Sequence, residues 1–261
     1  GESVVDPKIL TWYQENMVKA PVLEEGIDRN LWVWEQPNYT KQYIVVADVA
    51  RGDGTDYSAC QVFDVEEVEQ VAEYKGKLST TDYGHFLIDI ATKYNDALLV
   101  VENNNIGWAV LQVLLDREYR NLFWMKKDLK YTDSKTQYTN KYRGENKMMV
   151  PGFTTSMKSR PLIIEKLSQF VREKEIKINS IRTIDELYVF IYNNGKAEAL
   201  KGYNDDLVMS LAIGIWIRET ALRLLEEGIN MTKQAMNKMD SSSGVYTVED
   251  ENDYGWKQHV G

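Results

Sequence analysis

Tyr43-Ile44-Val45-Val46-Ala47-Asp48-Val49 is followed by Ala50-Arg51-Gly52-Asp53-Gly54-Thr55-Asp56 and then by Tyr57-Ser58-Ala59-Cys60-Gln61-Val62-Phe63-Asp64. The first run reads as a buried strand, the last as its hairpin partner, and the middle as a polar turn. Gly52 and Gly54 allow tight backbone geometry there. What decides the reading is Asp48, a carboxylate inside an apolar strand. Burying it costs free energy unless it is paired or binds a cation. A hairpin here brings Asp56 back near Asp48. A plain polar loop would carry the same glycines and aspartates.

Working outward, Val68–Lys77 reads as a third, alternating strand. Thr80–Tyr94 is predicted as a helix with Phe86, Leu87, Ile90, Ala91 and Tyr94 on one face. Ala97–Val101 is a fourth strand, and it ends on Glu102. A carboxylate at the carboxyl end of a buried strand lies at the edge where α/β sheets place ligands. Asn103, Asn104 and Asn105 fit as caps for the next helix, Trp108–Glu118. A fifth strand is expected at Leu122–Met125. Helices follow over Pro161–Lys174 and Asn204–Leu225, with a helical or mixed stretch at Thr183–Ile191. The order is a mixed α/β pattern.

The third acidic landmark is Asp205-Asp206, opening the apolar helix Leu207-Val208-Met209-Ser210-Leu211. Capping and the helix dipole favour one such residue. Two in succession exceed what one cap needs. Three carboxylates from three elements suggest a divalent-cation site of the kind that cuts phosphodiesters.

The 261 residues allow one large domain or a domain with extensions. A single cysteine, Cys60, excludes an internal disulfide, and with only His85 and His259 there is no Cys/His zinc spacing. No apolar run reaches the roughly 20 residues that span a bilayer. No signal peptide is visible. A cytoplasmic, non-secreted protein with no membrane contact is expected. No G-x-x-x-x-G-K-[ST] phosphate loop occurs. The net charge of −9 argues against a surface that coats nucleic acid everywhere, but not against a local basic groove. Lys126–Lys147 is such a candidate. It holds six lysines and one arginine against two aspartates and one glutamate. Lys126, Lys127, Lys130, Lys135, Lys141, Arg143 and Lys147 are candidate phosphate contacts. Lys158 and Arg160 are a second set, although they could equally dock a helix start. Residues 1–40 read as an approach segment, 41–226 as the principal domain, and 227–261 as a mobile acidic tail.

Four motifs carry a family resemblance. They are Asp48 to Ala59 (Asp-x-x-x-Gly-x-Gly-x-Asp-Tyr-Ser-Ala), Val101 to Gly107 (Val-Glu-Asn-Asn-x-x-Gly), Gly152 to Ile163 (Gly-Phe-Thr-Thr-Ser-x-x-x-Arg-Pro-Leu-Ile) and Gly202 to Leu211 (Gly-Tyr-Asn-Asp-Asp-Leu-Val-Met-Ser-Leu). In this order the chain resembles the C-terminal nuclease domain of the large terminase subunit of tailed bacteriophages, of the headful-packaging myovirus type. The resemblance covers roughly residues 40–220. It implies an α/β, RNase H/resolvase-like fold, a mixed β-sheet flanked by helices. It implies a metal-dependent endonuclease that cuts concatemeric double-stranded DNA when head filling starts and ends. Asp48, Glu102 and Asp206 match the family's catalytic acids. Asp205 and Asp56 match neighbouring acids that help hold a second metal, Mg²⁺ or Mn²⁺. Two such ions lie about 4 Å apart in two-metal sites. Where the family usually has histidine before the acid pair, this chain has Asn204.

The resemblance further implies an ATPase domain in the same full-length chain, with residues 1–40 as the remnant of the linker to it. The portal protein, the small terminase subunit and double-stranded DNA are the implied partners, and the procapsid in the host cytoplasm is the implied location. Other readings remain open on the residues alone. A junction resolvase or strand-transfer enzyme shares the acid triad and would prefer branched DNA. An actin- or sugar-kinase-like ATP-binding domain would respond to nucleotide without cutting DNA. A non-catalytic portal-docking module would have acids that serve only as caps.

Overall fold

The structure is a computed structural model and describes residues 1–50, 57–104, 106–126 and 149–242. In chain order the elements are β1 (Glu2–Ser3), α1 (Pro7–Asn16), β2 (Leu23–Glu25), β3 (Leu31–Val33), β4 (Tyr43–Asp48), β5 (Ser58–Asp64), β6 (Glu69–Gly76), α2 (Thr80–Lys93), β7 (Leu98–Val101) and α3 (Gly107–Asp116). Then come β8 (Trp124–Lys126), β9 (Met149–Pro151), α4 (Ser159–Arg172), α5 (Ile181–Tyr188), β10 (Phe190–Asn193), β11 (Lys196–Ala199) and α6 (Asp206–Ser242).

Among the described residues the main sheet has six strands, in the order β2-β3-β6-β5-β4-β7. β4, β5 and β6 form an antiparallel meander, and β7 runs parallel to β4. A parallel return needs a crossover; the chain makes it through α2, whose first turn is tied by Ser79 and Asp82. Side chains on a strand alternate between faces. Ile44 and Val46 of β4 accordingly join a core with residues of α4, α5 and α6. Tyr43, Val45 and Ala47 join a second core with residues of α2 and α3. Both faces of β4 are thus covered, which is why it reads as a continuous apolar run.

α6 approaches the sheet closely at Gly214. A Cβ there would collide with the Phe63 ring and press on Val46. Residues 1–40, expected as an approach segment, contribute β2 and β3 to this sheet and bury Leu10, Tyr13, Val33 and Trp34. β1 pairs with β10, and β10 with β11. Gly1–Leu222 forms one compact unit and Arg223–Gly261 a second, helical through Ser242.

Several boundaries differ from expectation. β8 starts at Trp124 because Leu122 makes only an isolated bridge, to Leu99. α4 starts at Ser159, so Pro161 lies in the first turn, where its missing N–H has no partner to lose. The mixed stretch resolves into α5 and β10. No described helix is long and apolar enough to cross a membrane.

Candidate active site

The parallel register pairs Ala47 with Val101. The next residues in each strand, Asp48 and Glu102, therefore stand side by side at the strands' carboxyl ends. The Glu102 N–H donates to the Ala47 carbonyl at 2.9 Å and continues the ladder. By alternation Asp48 follows Ile44 and Val46, and Glu102 follows Leu98 and Val100, all in the α4–α6 core. Both carboxylates thus point to the face that carries α6.

Glu102 is buried at 7% exposure. The chain turns sharply after it. A side chain at Gly107 would collide with the Glu102 carbonyl, so the glycine is required by close approach. The following asparagine is not a helix cap. Asn103 Nδ2 donates to the Pro151 carbonyl at 3.0 Å, and its Oδ1 accepts from Thr154 Oγ1 at 2.9 Å. Asn103 braces the Glu102 turn against the Gly152–Ser156 loop. Among the described residues α3 has no side-chain cap, and Asn104 contributes its backbone carbonyl to the Gly107 N–H; Asn105, also expected as a cap, lies outside them.

Asp206 is the first residue of α6. The helix's leading amides are met from outside: Glu186 Oε2 accepts from Leu207 N at 2.8 Å and from Val208 N at 3.2 Å. The cap is therefore a glutamate from α5 and not the Asn-Asp pair. Lys75 Nζ bonds the other Glu186 oxygen. Asn204 Nδ2 donates to Asp206 Oδ2 at 3.2 Å. Asp205 Oδ2 is held by Arg160 Nη2 at 2.7 Å, and Arg160 also reaches the Ala197 carbonyl. Arg160 thus docks α4 to the start of α6. Lys158 stands at the N-cap position of α4.

Electrostatics bind the acids into one group. Burial pushes the Asp48 carboxyl well above the usual carboxylate range, and the negative charges of Glu102, Asp206 and Asp205 add to it. Like charges gathered at one buried place disfavour the ionised form, so Asp48 holds a proton more tightly than a free carboxyl does. Burial also raises Glu186, to about 7, against the pull of Lys75.

Among the described residues, no three His, Cys, Asp or Glu side chains close tightly enough to hold a metal ion. The donor set nevertheless fits a hard divalent cation: carboxylate oxygens only, in mutual repulsion. Asp56, Lys127, Lys130, Lys135, Lys141, Arg143 and Lys147 lie outside the described residues, as does the side chain of Lys126. Glu186 and Asn103 were not legible as site residues. Nothing in the sequence marks a glutamate within an amphipathic helix as the cap of another helix.

No family model matches the chain. Among solved structures, it is similar to the large terminase nuclease of thermophilic phage G20c with bound magnesium. The TM-score is 0.60 and the identity 18%, over 82% of this chain and 96% of that one. The same nuclease with bound cobalt gives 0.59 at 18%, with the same coverage. The large terminase nuclease domain of Thermus phage P74-26 gives 0.56 at 18%, over 78% and 92%. The chain therefore has the RNase H-like fold of the phage large terminase nuclease domains.

Proposed function

We propose that the chain is the metal-dependent DNA endonuclease of a viral packaging motor, with Asp48, Glu102 and Asp206 as its catalytic acids. One observation carries this reading: the β4–β7 register sets two carboxylates side by side on the face that α6 covers, at the end of α6 that begins with Asp206. The likeness to nucleases solved with bound magnesium and cobalt supports it.

Two Mg²⁺ or Mn²⁺ ions, when bound, supply an activated water and neutralise the leaving 3′-oxygen. The protein's part is positional. Asp48, Glu102 and Asp206 would hold the ions, Asp48 as the acid shared by both and Glu102 and Asp206 each favouring one. Asp205 and Asp56 are candidates for the second ion, and Asp205 shares its charge with Arg160. Glu186 fixes the first turn of α6, and Asn103 fixes the turn after Glu102. The Lys126–Lys147 segment, with Lys158, is proposed to neutralise backbone phosphates, which gives strong salt dependence and little sequence preference.

The proposed substrate is concatemeric double-stranded DNA, cut at the start and end of head filling on the procapsid. An ATPase domain in the same longer chain, the portal and the small subunit are the proposed partners. Residues 1–40, which supply β2 and β3 to the sheet, would also join it to that ATPase domain.

Supercoiled plasmid incubated with the chain tests the proposal. Nicking and linearisation are expected with Mn²⁺ or Mg²⁺, none with EDTA, and none from Asp48→Ala. Undiminished nicking by Asp48→Ala would sink it.

A further inference from the structure

We propose that the groove on the β6–α5 side of the acid cluster is a nucleobase subsite. It would take one unstacked base of the DNA strand beside the phosphate being cut. The inference rests on the nuclease reading above and names a part of the substrate that the carboxylates do not address.

The groove has a volume of about 1020 Å³, and its lining includes Tyr57, Lys75, Arg182, Glu186, Tyr203 and Asn204. Two of these residues also hold the start of α6. Asn204 donates to Asp206, and Glu186 accepts from Leu207 and Val208. The sheet register supplies the other link. Ala59 is the cross-strand neighbour of both Asp48 and Lys75. Directly opposed residues share a face, so Lys75 stands on the Asp48 face, two strand spacings or about 10 Å away. Tyr57 lies two residues before Ala59, at the same edge of the sheet. The groove therefore begins where the carboxylates end.

Its chemistry suits a flat, uncharged ring better than a phosphate. Lys75 is paired with Glu186. Arg182 is paired with Glu73 at 2.7 Å, and its guanidinium lies 3.7 Å from the Trp32 ring centre. A phosphate would have to compete with carboxylates already in place. Tyr203 has no such commitment of charge, and the residue is 62% exposed. Lys75 and Lys77 lie 5.4 and 4.9 Å from the Tyr57 ring centre and hold that ring at the rim. Bases stack on aromatic rings with little regard to sequence. Pockets of about 300–1,000 Å³ house drug-sized ligands, so one base with its sugar fits. A base held there would anchor the strand and fix the adjacent phosphate over the acids.

The test uses the full chain carrying Asp48→Asn, with Mg²⁺, and a short single-stranded oligonucleotide holding one 2-aminopurine. Binding is read by anisotropy and stacking by emission. Quenching on binding is expected. Adding Tyr203→Ala should relieve it and weaken binding about 5- to 100-fold, and Tyr203→Trp should restore both. Because Tyr203 is exposed, thermal melting should not change. Tyr57→Ala serves as the second variant. If the Tyr57→Ala, Tyr203→Ala double variant binds and quenches like its parent, the subsite is refuted. Wild-type plasmid nicking is measured in parallel. Nicking without quenching refutes the groove alone, whereas absence of both nicking and binding refutes the nuclease reading and the groove with it.

Discussion

Two acidic clusters share one face of the main sheet, in adjacent rows about 7 Å apart. In one row Glu73 opposes Gln61, which opposes Val46. In the next, Lys75 opposes Ala59, which opposes Asp48. Glu73 is fully buried, yet every demand of its charge is met. Its Oε1 accepts from Arg182 Nε at 2.7 Å and Ser180 Oγ at 2.8 Å, while Oε2 accepts from Thr183 and from Gln70 Nε2 at 3.1 Å. Gln70 in turn bonds Gln61 and the Asn179 and Ser180 amides. Asp48 instead faces other carboxylates. The lesson is general: a buried acid with complementary donors serves stability, whereas a buried acid among acids awaits a cation.

That contrast can be broken in order of effect. Asp48→Asn is expected to lower plasmid cleavage by about 10³-fold or more, with a melting temperature equal to or above wild type because repulsion is relieved. A large loss of stability would place Asp48 in the structural class instead. Glu73→Ala should do the opposite. Removing it strands Arg182, Thr183 and Gln70, and denaturant unfolding should show a loss of about 3–5 kcal/mol.

Glu186 stands between the classes, since it caps a helix and yet is raised to about 7. Its folded form holds a proton more tightly than the unfolded chain. Its stabilising contribution is thus fully present below pH 4.5 and is lost as pH rises to about 7. The loss is on the order of 3 kcal/mol. Glu186→Gln should flatten the metal-free stability profile across that window, and an unchanged slope would assign it to other groups. Smallest is Gly214→Ala. Crowding of Phe63 and Val46 should cost about 1–3 kcal/mol and lift α6 from the sheet. If α6 positions Asp206, cleavage should fall more than stability does.

Much of the acid row was legible in the sequence, and almost none of the satisfied row. Asp48 and Glu102 stand out because each interrupts or ends an apolar strand, and the sheet places them as that pattern implies. Asp206 announces itself by opening an apolar helix. Glu69-Gln70-Val71-Ala72-Glu73-Tyr74 instead reads as a strand with one wet face. That face is dry because α5 and α6, more than a hundred residues later in the chain, cover it. Tertiary partners, not local pattern, decided those side chains. The same holds for Glu186 and for Arg160, for which docking a helix start was one of two readings and the Asp205 partner was not foreseen. β10 and β11 were missed because Asn193-Asn194-Gly195-Lys196 is a tight turn between strands of four residues each, too short to show alternation.

The central claim is that Asp48, Glu102 and Asp206 are held in repulsion until cations join them. Anomalous diffraction from crystals of the chain soaked in Mn²⁺ tests it most directly. Two peaks are expected among these three carboxylates, with Asp48 touching both and the acids drawn closer than in the metal-free chain. Peaks elsewhere, or none beside Asp48 at saturating Mn²⁺, would contradict it.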